Sequence, residues 1–192
     1  MIVRQQLEQK LQTRDRKIAF ETLAQTLFDE GFPLSELIDL TFQSNSEAAF
    51  RAAWLLELTF VIGPLHYIND IPYIVKRLPE ITNDSCRRHF VKILLNIIKS
   101  RTLTPIANKL KELDLEPVVE TLFDWLIDPK VKIAVKVFSA DALLQLSNRY
   151  PWIKDELQEQ VQFLMRGGSA AIQSRGKKIL QQLQKEKHLQ KD

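Results

Sequence analysis

Residues 46–60 read SEAAFRAAWLLELTF, and their reading decides the fold. Arg51 stands between two alanine-rich flanks, and the run that follows carries a single charge, Glu57. Nothing here alternates as a half-buried strand would, and the apolar density predicts a helix covered on most of its circumference. Its guanidinium then needs an acceptor, because an unpaired buried charge costs several kcal/mol. Glu47, at i−4, is the nearest candidate; an acid in a neighbouring part of the chain is the other. Arg51 is therefore expected to be a structural tie, with direct ligand contact as the alternative.

Working outward, nearly every segment has helical period. Val3, Leu7 and Leu11 share one face in residues 2–12, and Phe20, Leu23, Ala24, Leu27 and Phe28 share one in 15–30, with Gly31 as a C-terminal stop. Pro33 opens PLSELIDLTFQ, and Gly63-Pro64 ends the helix of 46–62. A helix over 67–80 takes Pro72 in its first turns, and Thr82, Asn83 and Asp84 offer N-caps for the helix of 84–101. Short helices near 105–112 and at 116–127 precede a long one over 130–149, capped by Asp128-Pro129. After Tyr150-Pro151 comes PWIKDELQEQVQFLM, and Gly167-Gly168 separates it from the last helix, 168–187. The chain thus reads as one domain, residues 1–192, built of pairs at about 2–30, 33–62, 67–101, 105–149 and 152–187, with 188–192 frayed. Only 5 glycines and 8 prolines occur, too few for an all-β chain with many tight turns.

The longer second helices align on a basic residue, Arg51, Arg88, Lys136 and Arg175, at intervals of 37, 48 and 39 residues. Helical repeats of two or three helices have periods of about 40–47 residues, so the periodicity favours an α-solenoid over a compact bundle. Ser46–Leu56 resembles the second helix of a HEAT repeat: a polar cap, an arginine one to two turns in, then small and large aliphatic positions. Asp128–Lys136, with its Asp-Pro start, resembles a divergent second copy. Over most of residues 33–187 the chain is similar to HEAT-like and armadillo-type helical-repeat proteins. Its terminal block, KVFSADALLQLSNRYP with RGGSAAIQSRGKKIL, is similar to small bacterial helical-repeat proteins that supply no activity to carry over. The resemblance implies an all-α fold, a right-handed α-solenoid of about five HEAT-like helix pairs, with the second helices lining a concave face and Arg51 tying repeats together.

Charge is the most informative chemical feature. The total is only +3, but residues 46–62, 84–101, 130–149 and 168–187 carry a net +10 and the remainder a net −7. Arg88–Lys92–Asn96–Lys99 recur at helical spacing, as do Arg175–Lys178–Gln182–Lys185 and the shorter Lys132–Lys136–Ser139. If the second helices line a groove, Arg88, Lys92, Lys132, Lys136, Arg175 and Lys178 form a candidate basic binding face for an acidic peptide or protein. The plainer account is a solvated face, with Lys99, Arg101, Arg149, Lys185 and Lys187 favouring helix C-terminal dipoles. The alternative partner is nucleic acid. One version resembles the helical-repeat DNA glycosylases that remove alkylated bases, with Asp141, the one acid in its basic helix, as the catalytic candidate.

No other constellation carries chemistry. Cys86 is the single cysteine, so no internal disulfide or cysteine-rich zinc site forms. Its place beside Arg87 and Arg88 in a first helical turn would favour a thiolate, and His89 lies three positions on, but a buried packing role is the expectation. Trp54 and Trp125 sit in apolar runs and read as core; Trp152 reads as a staple at a helix start. His66, His89 and His188 lack metal-ligand spacing, and no phosphate-loop, dinucleotide, zinc-protease or nucleophile-elbow motif is present. Gly167-Gly168 before a helix reads as a turn rather than an anion seat. We therefore expect no catalytic residues, no metal and no cofactor. The charged N-terminus lacks a signal-peptide core, and apolar runs fall short of a membrane span, so the expected setting is cytoplasmic.

Overall fold

A computed structural model describes residues 2, 4–12 and 17–189; Val3 and 190–192 of the predicted tail lie outside them. Among the described residues every regular element is helical, as expected, and there is no strand. The helices are α1 (Arg4–Gln12), α2 (Lys17–Asp29), α3 (Leu34–Leu40), α4 (Ser46–Ile62), α5 (Ile71–Arg77), α6 (Asp84–Lys99), α7 (Thr104–Glu112), α8 (Glu116–Ile127), α9 (Ile133–Leu146), α10 (Ile153–Met165) and α11 (Ala170–Leu189). The chain divides into two compact units at the boundary between Leu115 and Glu116.

In the N-terminal unit α4 is the central helix. It packs against α1, α2, α3 and α6, which is why so little of it is polar. Ala48, Ala49, Ala52 and Ala53 are buried and let the neighbours approach closely, while Leu55, Leu56 and Phe60 fill the space between them. The N-cap is Asn45, whose Oδ1 accepts from the backbone N–H groups of Glu47 and Ala48 at 3.1 Å. Asn83 caps α6 in the same way, accepting from Ser85 N–H at 2.9 Å, and its amide donates to Ser46 Oγ at 2.9 Å. One asparagine thus closes α6 and joins it to the start of α4.

Gly31 stops α2 as predicted. Its φ of +64° is the left-handed conformation that favours glycine. Phe32 N–H reaches back to Leu27 O at 2.9 Å and Gly31 N–H to Phe28 O at 3.0 Å, which satisfies the last carbonyls of α2. At the other end of α4, what Gly63 supplies is room: a Cβ there would lie 2.7 Å from Phe28 Cζ. Gly63→Ala is expected to destabilise the unit by about 1–2 kcal/mol through displacement of that ring, readable as a lower urea midpoint at unchanged slope.

The segment predicted as one helix over 67–80 is instead broken into a 3-10 turn at Ile68–Asp70, α5, and a second 3-10 turn at Leu78–Glu80. Pro72 and Pro79 each stand in the first positions of a new element, where the missing N–H has no partner to lose.

In the C-terminal unit α9 packs against α8, α10 and α11, and α10 packs against α11. Its start also differs from expectation. Asp128 Oδ1 accepts Lys130 N–H at 2.8 Å, and Val131 N–H bonds to Asp128 O at 3.2 Å. This side-chain-closed turn holds 128–131 out of the helix, so α9 begins at Ile133 behind an extended Lys132. Trp152 stacks on Phe123 with ring centroids 5.7 Å apart.

Candidate functional site

The cations of α4, α6, α9 and α11 separate by what each one meets. Arg51 and Lys136 are buried and close helix ends. Arg51 Nη1 donates to Leu11 O at 2.8 Å and its Nη2 pairs with Glu47. Lys136 Nζ donates to Leu126 O at 3.0 Å. Both acceptors lie one residue before the end of their helices, α1 and α8, where carbonyls have no intrahelical donor and the dipole favours a cation. Burial pushes the Lys136 ammonium below its usual range, against the opposing pull of Asp128. Glu47 is the partner predicted for Arg51; a backbone carbonyl 40 residues away leaves no mark in a sequence.

A second set crosses between neighbouring helices. Glu57, on α4, is buried; it accepts His89 Nδ1–H at 2.6 Å and pairs with the Lys92 ammonium, both on α6. A carboxylate acceptor fixes the proton on His89 Nδ1. Burial alone would raise the Glu57 pKa, but the bonds from His89 and Lys92 outweigh it and hold the carboxyl below its usual range. In the C-terminal unit Asp141, on α9, offers one oxygen to Arg175 Nε and the other to Nη2, a two-point pair with α11. Glu57 and Asp141 stand out in the sequence, one as the lone charge after Arg51 and the other as a catalytic candidate, but not as the partners of Lys92 and Arg175. They could be found by their offset: each acid precedes its base by 35 or 34 residues, close to the spacing of the basic series.

With Arg87–Asp84 at 2.8 Å and Lys154–Glu186 at 3.0 Å, all five acids of these four helices are ion-paired. The third set of cations has no such partner. Arg88 and Lys99 are exposed on α6, Lys178 and Lys185 on α11, and Lys132 just ahead of α9. Of the six predicted binding residues, then, Arg88, Lys132 and Lys178 are free, and Lys92, Lys136 and Arg175 are engaged within the protein. Lys136 and Arg175 meet at a small cavity of about 20 Å3 whose other walls are aliphatic, among them Leu126, Ala140, Val161 and Ile172.

The remaining candidates have structural surroundings. Cys86 is fully buried, and burial pushes its thiol up to about 12, so no thiolate forms near neutral pH. His89 Nδ1 faces Glu57, and the neighbour of Cys86 Sγ is Thr41 O at 4.0 Å. Trp125 is buried, and Trp54 stacks on Phe20 with centroids 4.8 Å apart and on Phe50 beyond it. Among the described residues no cluster of His, Cys, Asp and Glu could hold a metal ion, and no helix is long and apolar enough to cross a membrane. Comparison with protein-family models, curated proteins and solved structures yields no match.

Proposed function

We propose that the protein is a non-enzymatic interaction module, an α-solenoid of HEAT-like helix pairs whose second helices bind an acidic peptide or an acidic segment of a protein. One observation carries the binding reading: every acid on α4, α6, α9 and α11 is already paired, while Arg88, Lys99, Lys132, Lys178 and Lys185 remain exposed and unpaired. The positive charge of these helices is thus available to a partner. The repeat architecture is supported within each unit. α4 neighbours α6 and α9 neighbours α11, and ties recur at 34–37 residues through Glu57–Lys92, Asp141–Arg175 and Ser46–Asn83. The cytoplasm suits such a module, with its single buried cysteine.

Nucleic acid is the alternative partner for the same cations. A glycosylase version would need Asp141 as a free carboxylate, and both of its oxygens are occupied by Arg175.

Fluorescence anisotropy of a labelled Glu/Ser decapeptide and of a labelled DNA duplex, each titrated across a salt series, tests the proposal. The peptide is expected to bind at low ionic strength. Lys178→Glu with Lys185→Glu is expected to weaken binding about tenfold while leaving the circular dichroism spectrum unchanged. Absence of peptide binding at low salt sinks the proposal, and duplex binding with a steep salt slope replaces it with the nucleic-acid reading.

A further inference from the structure

The cavity of the C-terminal unit is walled by side chains from α8, α9, α10 and α11, and nearly all of that wall is aliphatic. Two cations break it. Lys136 is 7% exposed, and its ammonium, with three protons to donate, has one acceptor, Leu126 O. Arg175 is 42% exposed at its side chain and binds Asp141 through Nε and Nη2, which leaves Nη1 without a partner. One turn along α11, Lys178 is exposed and unpaired. An aliphatic hollow edged by cations suits neither a bare anion nor a phosphate backbone, since both would leave the apolar wall wet. It suits an aliphatic group carried next to carboxylates. The volume, about 20 Å3, admits roughly one methyl-sized group, since a single water requires at least about 10–15 Å3 on this measure.

We infer that this cavity receives one methyl group, the side chain of an alanine, from an acidic peptide whose flanking carboxylates meet Arg175 and Lys178. The inference rests on the acidic-peptide reading above and adds a sequence requirement to it. The desolvated Lys136 ammonium gains from the same ligand, because a nearby carboxylate restores the charged environment that burial removes.

The test uses the full chain and three labelled peptides of identical charge, Glu-Glu-Xaa-Glu-Glu with Xaa as Ala, Gly or Phe, acetylated and amidated. The Ala peptide is expected to bind about fourfold more tightly than the Gly peptide, and the Phe peptide no better than Gly. Ala140→Val, which adds two methyl groups to the cavity wall, is expected to abolish the Ala preference and leave Gly-peptide binding in place. Equal affinities for Ala and Gly on the unaltered chain, with salt-sensitive binding of both, overturn the cavity inference and leave the interaction module standing. No binding of any of the three overturns both.

Discussion

Replacing Glu57 by alanine is expected to destabilise the N-terminal unit by about 3 kcal/mol, read as a fall in the urea midpoint by circular dichroism. The carboxylate is buried between α4 and α6 and accepts from both His89 and Lys92. Lys92, 31% exposed, can turn to water once its partner is gone. His89 cannot: at 7% exposure its Nδ1–H would be left buried without an acceptor, and most of the cost arises there. Glu57→Gln keeps the volume and one acceptor oxygen, so about half of the loss is expected.

Acid provides the second readout for Glu57. The folded carboxyl is held below the ordinary value of 4.5 by His89 and Lys92, despite the opposing effect of burial. A lowered carboxyl contributes stability that is complete above the unfolded pKa and is lost as pH falls through the folded one. The stability gap between the natural chain and Glu57→Gln should therefore narrow on acidification below about pH 4.5. A gap that stays constant from neutral pH down to the acid limit of folding would show that Glu57 carries no such charge-dependent share.

Arg51→Ala is the other substitution with a large expected effect, also about 3 kcal/mol. Its parts differ in weight. Glu47 is 61% exposed, so that ion pair contributes little. The larger losses are the donor on the Leu11 carbonyl and the packing of a side chain buried against α1. Arg51→Lys keeps a charge but has no fork with which to serve Leu11 O and Glu47 together, and about half of the loss is expected to remain. Hydrogen exchange separates the contributions. Amides of α1 should lose protection before those of α6 if the carbonyl bond matters, and both should fall together if packing alone does.

The positions of these residues show what a sequence does and does not carry. The helix of 46–62 is legible to the residue because Gly63-Pro64 ends it and the alanine-rich face has a single plausible period. Gly31 is legible for a similar reason: few residues tolerate the backbone it adopts. The starts of α5 and α9 are not, since both depend on local competition for backbone N–H groups around Pro72, Pro79 and Asp128. The basic character of α6 and α11 is legible as composition. Which cation is spent inside the fold is not, because Leu11 O, Leu126 O, Glu57 and Asp141 come from helices that only tertiary packing brings alongside. α9 makes the difficulty plain: Lys136, Ser139 and Asp141 are all buried on it, so no polar face marks which side meets solvent.

The division of the cations also bears on how this chain can change over time. Arg51 and Lys136 hold helix ends, and altering them disturbs folding. Arg88, Lys132 and Lys178 are exposed and enter none of these ties. Selection, or a designer, can therefore add, remove or reverse charge at these three positions at little structural cost. Recognition can drift, or be redirected, while the scaffold beneath it stays the same.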